Sequence, residues 1–132
     1  MMKSTLLSPD IHDYSSLIWR ESVTFVGVRF ATRRTSLAQK IELTRQVREL
    51  TLRNDFLRGG DTADQLQAAL GDLLSRRLFV EWGLAQIDGL TIDGTQATPE
   101  LLIQKGPDEL TEEIANAIIS DLQLSEDERK NS

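Results

Sequence analysis

At 132 residues, 39% of them hydrophobic, the chain can bury one sizeable core and is too short for two. It has no cysteine, which excludes disulfide and thiolate chemistry; no run approaches the ~18 uninterrupted apolar residues of a membrane span, and the N-terminus MMKSTLLSPDIHDY turns polar too early for a signal peptide, so a cytosolic protein is expected. The net charge of -6 is lopsided, with ten positive and six negative side chains in residues 1–60 (net +4) and five and fifteen in residues 61–132 (net -10), a pattern of solvated helix faces with opposite excess.

Residues 1–21, with Pro9, the lone His12 and several serines, are expected to form an N-terminal arm, mobile in part. Residues 22–31, SVTFVGVRFA, are rich in Val and Phe and predict a strand. Alternation would place Val23, Phe25 and Gly27 on one face and Thr24, Val26, Val28 and Phe30 on the other. Such a strand needs a neighbour. Residues 5–7 or the segments beside Asp93-Gly94 could supply one within the chain, and otherwise the edge is open to a strand from a partner.

Ser36 and Gln39 stand at capping-box spacing and open a helix. Leu37, Ile41, Leu43, Val47, Leu50 and Leu57 give it a broad apolar face of about six turns, ending at Gly59-Gly60. Arg33, Arg34, Lys40, Arg45, Arg48, Arg53 and Arg58 are interrupted by Glu42, Glu49 and Asp55, which reads as local ion pairing and argues against a nucleic-acid stripe. Thr62 and Gln65 repeat the capping spacing. Leu66, Ala69, Leu70, Leu73, Leu74, Leu78 and Trp82 then recur at three and four, so this helix is expected to lay its leucines against the previous one in an antiparallel hairpin. Phe79, Val80 and Trp82 make its end apolar nearly all round and mark the core centre.

Residues 87–100, IDGLTIDGTQATPE, form a turn-rich connector. Asp93-Gly94 between Leu90-Thr91-Ile92 and Thr95-Gln96-Ala97 predicts a small hairpin near 90–97. Thr98-Pro99-Glu100 starts a helix, with Thr98 as N-cap and Pro99 where no N–H is missed. Gly106-Pro107-Asp108-Glu109 repeats the device, and its helix carries Leu110, Ile114, Ala117, Ile118 and Leu122 on one face. Ser125 and Glu128 form a last capping pair before a charged end, 125–132, that is expected to fray. The fold class is mainly α, a helical hairpin plus C-terminal helices with a small β element, in a single domain over 22–124.

Catalytic patterns fail in each case. Ile92-Asp93-Gly94-Thr95 ends like the phosphotransfer motif D-x-D-G-T, but Thr91 stands where the nucleophilic aspartate belongs. A calcium loop from Asp88 would need oxygen ligands where Leu90 and Ile92 stand. One histidine cannot form the usual paired metal sites, and the neighbours Glu112 and Glu113 diverge by about 100° on a helix. No catalytic residue, metal or cofactor is expected, and the chain does not read as an enzyme.

Trp82-Gly83-Leu84, the run 87–94, Ala97-Thr98-Pro99-Glu100 with Leu102-Ile103, Gly106-Pro107 with Glu109-Leu110, Glu113-Ile114 and the ending from Leu124-Ser125 to Lys130-Asn131-Ser132 resemble the C-terminal half of small tail assembly chaperones of long-tailed bacteriophages. The likeness covers residues 80–132 and consists of structural punctuation, so no active-site residue carries over. It implies a non-enzymatic protein of the host cytoplasm, absent from the mature particle, that binds the tape measure protein while tail tube protein polymerises around it. Candidate partner-binding residues are Thr24, Val26, Val28, Phe30, Phe79 and Trp82. Self-association stays open, and a structural tail completion or connector component and a DNA-binding regulator are the alternatives.

Overall fold

Two short strands lead into a long helical hairpin, and a third strand returns directly from the hairpin to pair with the second. The computed structural model describes residues 11–130, and side chains for all of these except 54–58 and 123–130. In chain order the elements are β1 (Leu17–Glu21), β2 (Arg29–Arg33), α1 (Leu37–Arg58), α2 (Thr62–Gly83), β3 (Leu84–Asp88), β4 (Thr91–Ile92), β5 (Thr95–Gln96), α3 (Pro99–Lys105) and α4 (Asp108–Lys130). Helix predominates, with a three-stranded antiparallel sheet ordered β1-β2-β3 and a separate β4-β5 hairpin. The expectations for residues 1–10, including 5–7 as a strand partner, for the Leu57 side chain and for residues 131–132 fall outside the described residues.

The strand expected over 22–31 is corrected. Only its end is extended: β2 starts at Arg29, and residues 22–28 are the connection of a β1-β2 hairpin. Gly27, at φ 89°, turns the chain where an alternating strand would have run straight. The partners of β2 are likewise corrected to β1 and β3. Phe30 stands opposite Arg20 on one side and Ile87 on the other, with a register shift between Ala31 and Thr32 on the β3 side. Flanked on both edges, β2 has Phe30, Ala31 and Thr32 buried in succession. Residues 17–21, assigned by sequence to the arm, are an edge strand.

Local chemistry sets most helix ends. The Ser36 hydroxyl accepts from the Gln39 N–H at 3.3 Å while the Gln39 side chain accepts from the Ser36 N–H at 3.2 Å, a completed capping box. For α2 the cap is Asp61, accepting from the Asp64 N–H at 3.0 Å, and not the expected Thr62. Thr98 caps α3 through Leu101 at 3.1 Å with Pro99 in its first turn, as expected. Asp93 and Gly94, at φ 51° and 81°, make the two-residue turn of β4-β5. The last helix runs without a break to Lys130, so Ser125 and Glu128 lie inside it and start nothing new.

The two long helices pack along each other, but not through the expected leucines. Towards the hairpin tip α2 buries Ala68 and Gly71, and the Ser75 hydroxyl donates back to the Gly71 carbonyl at 3.0 Å. Leu66, Leu70, Leu73 and Leu74 are left 68, 48, 53 and 43% exposed. The sequence offers two stripes at helical spacing, and close approach of two axes favours the small residues.

The core lies at the other end of the hairpin. Phe79 and Val80 from α2, Phe30 from β2, Leu84 and Ile87 from β3, Leu102 from α3 and Leu110, Ile114 and Ile118 from α4 form one cluster. Each large side chain buried there contributes roughly 1.5–3 kcal/mol. Ile118 lies so close over Gly83 that a side chain there would displace it. Arg20 of β1 pairs with Asp121, and Arg76 of α2 with Asp108 at 2.8 Å, fastening sheet and hairpin to α4. No helix among the described residues is long and apolar enough to cross a membrane.

Candidate interaction surfaces

The β1-β2 connection is tied down by its own hydrogen bonds and by α4. The Ser22 N–H donates to the Val28 carbonyl at 2.8 Å and the Val28 N–H to the Phe25 carbonyl at 3.1 Å, closing the loop on itself. The Phe25 N–H donates to the Ser22 hydroxyl at 2.9 Å. Glu113, projecting from α4, then accepts from the Ser22 hydroxyl and the Val23 N–H, both at 2.7 Å, and from the Thr24 N–H at 3.4 Å. Burial pushes the Glu113 carboxyl up, but the hydrogen bonds from Val23, Ser22 and Thr24 outweigh it and hold the group below its ordinary value. A carboxylate therefore clamps the loop.

That clamp presents apolar side chains outward. Val23 is 88% and Val26 98% exposed, while Phe25 is half-buried against the core. Glu113 satisfies the Val23 and Thr24 N–H groups, which would otherwise need water, and the Ser22–Val28 and Val28–Phe25 hydrogen bonds close the loop on either side of Val26.

The candidate residues fall into two groups. Thr24 and Val26 are exposed on this loop. Val28 and Phe30 are buried at 4 and 2% exposure, Phe79 is buried, and Trp82 is half-buried against the core. The structure thus brings Thr24 and Val26 together at the surface and places the other four in or against the core. Phe79 also borders a groove of about 510 Å³ between α1 and α4, lined by Leu43, Val47, Ile119 and Leu122 with Thr44 and Arg48 at its rim.

Sequence reasoning missed three features. Glu113 was set beside Glu112 as an adjacent pair, whereas Glu112 turns to Arg76 at 3.8 Å and Glu113 to the loop. Its role depends on a contact 90 residues away in sequence, which no local pattern announces. Trp19, 38% exposed on β1, carries the Arg29 guanidinium 4.8 Å from its ring centroid, a pairing that needs the β1-β2 register to be known. The exposed leucines of α2 were assigned to packing. His12 is exposed, and among the described residues no group of three or more His, Asp or Glu side chains is placed to hold a metal ion.

No protein-family model, curated protein or solved structure gave a significant match to the chain.

Proposed function

We propose that this chain is a tail assembly chaperone of a long-tailed bacteriophage, a non-enzymatic protein that binds the tape measure protein in the host cytoplasm, yields to tail tube subunits and does not remain in the finished particle. The observation that carries the reading is the clamped loop with Val23 and Val26 presented to solvent, on a scaffold whose β3-to-α4 portion is the part that resembles such chaperones. A client whose helical stretches are apolar needs an apolar contact that the free chaperone keeps from collapsing inward. A loop already ordered by Glu113 loses little conformational freedom when it docks, which favours binding.

The test is co-purification of the full chain with a helical fragment of the tape measure protein, comparing the native sequence with Val26→Asp. Val26 is 98% exposed and is not among the donors to Glu113, so the variant is expected to fold with its clamp intact and to lose the fragment. Retention of the fragment by a folded variant counts against the loop as the contact. Recovery of the chain from purified particles would instead favour a structural tail component.

A further inference from the structure

The clamped loop stands between two sets of carboxylates. The chain enters it at Glu21 and leaves it at Arg29, which face each other across β1 and β2, and Asp88 of β3 stands on the other side of Arg29. Two exposed acids thus bracket one base in a cross-strand row at the foot of the loop. That base is already turned over the Trp19 ring. The Gly27 carbonyl lies against Gly89, which keeps the returning arm of the loop beside Asp88. The other set comes from α4. Glu113 accepts from Ser22, Val23 and Thr24, and Glu109, one turn earlier on the same helix face, is exposed and without an ion pair among the described residues. Arg76 and Arg20, which reach α4 from other elements, are taken up by Asp108, Glu112 and Asp121. Val23 and Val26 therefore project from a site in which Glu21, Asp88, Glu109 and Glu113 outnumber Arg29.

We propose that the segment this loop receives is a helical stretch carrying lysine or arginine beside its apolar residues, an inference that rests on the chaperone reading and specifies the client's chemistry. Charge selects among the occupants of an apolar tip. Nucleic acid and an anionic lipid surface bring phosphates towards the carboxylates and are repelled. A second copy docked through the same loop sets one acidic border against another, and an apolar segment flanked by acids meets the same opposition. A basic-flanked segment is attracted instead. Its apolar side chains cover Val23 and Val26, while its cations come within a Debye length, ~8 Å at physiological salt, of the carboxylates on either side. The valines then supply the contact, and the carboxylates choose what makes it.

Fluorescence anisotropy of two labelled helical peptides titrated with the full chain tests this. The peptides, each of about 20 residues, share one apolar stripe and differ only in carrying lysine or glutamate at the flanking positions. The lysine peptide is expected to bind roughly tenfold tighter or more at low salt, and to lose most of that advantage at about 1 M salt, where the Debye length falls to ~3 Å. Val26→Ser, which leaves the charges alone, should weaken the lysine peptide without removing the preference. Glu109→Lys should reduce the preference, whereas Glu49→Lys, the same change of net charge at an exposed position of α1, should leave it as it is. Equal binding of the two peptides, binding of neither, or equal loss of preference in Glu49→Lys overturns the proposal. Self-association of the native chain that Val26→Ser abolishes also overturns it, since the occupant is then a second copy. Equal peptide binding by a chain that still co-purifies with the tape measure fragment removes the charge requirement and leaves the chaperone reading standing.

Discussion

Glu113 illustrates how one side chain joins distant parts of the chain. Its folded carboxyl lies below the ordinary value because the loop's donors favour the charged form, so the stabilisation it gives is present above the unfolded-state value and disappears as pH falls through the folded one. Glu113→Gln is expected to cost about 1–2 kcal/mol near neutral pH and to flatten the acid limb of stability, measured by urea unfolding across the acidic range. A second expectation concerns two glycines with the same backbone sign. Gly94, at φ 81°, faces open space, and Gly94→Ala should cost ~1 kcal/mol. Gly89, at φ 82°, faces the Gly27 carbonyl oxygen so closely that a methyl group cannot fit, and Gly89→Ala should cost roughly 3 kcal/mol in thermal unfolding. The turn glycine was legible in the sequence from its Asp-Gly pair. The contact of Gly89 with Gly27 was not, because it exists only once β2 and β3 have paired.

Among the elements, those governed by neighbours in sequence were readable. Ser36 with Gln39, Thr98 with Pro99 and Asp93 with Gly94 each complete their structure within a few residues. The bounds and partners of the three-stranded sheet were not, since they are set by pairing between distant segments. Leu17 to Glu21 is too short to announce itself, and β3 follows α2 with no turn between them. In the reverse case Val23 and Val26 look like strand residues and instead stand exposed on a loop that Gly27 bends. The hairpin poses the same difficulty in another form, because α2 offers a leucine stripe and a small-residue stripe and only the approach of α1 selects between them. Ala68→Leu is therefore expected to overpack the helix contact and cost about 1–3 kcal/mol, whereas Leu52→Ala on the exposed face should change stability by less than about 0.5 kcal/mol, both by chemical denaturation.

At the scale of the whole molecule, the apolar core joins one end of the hairpin to the sheet, α3 and α4, and apolar side chains stand exposed away from it, among them Val23 and Val26 of the clamped loop, the α2 leucines and Leu37, Ile41 and Leu52 of α1. The charge imbalance between the halves is partly resolved by the fold, in which Arg20 from the basic half meets Asp121 from the acidic one. Exposed apolar surface of this kind is the sort that contacts with other proteins cover. The most direct test is light scattering of an apolar helical fragment of the tape measure protein, diluted from denaturant with and without the full chain. The chaperone reading requires the fragment to stay soluble at roughly one chain per bound segment and to aggregate again with the Val26→Asp protein. Aggregation at the same rate whether or not the native chain is present would contradict it.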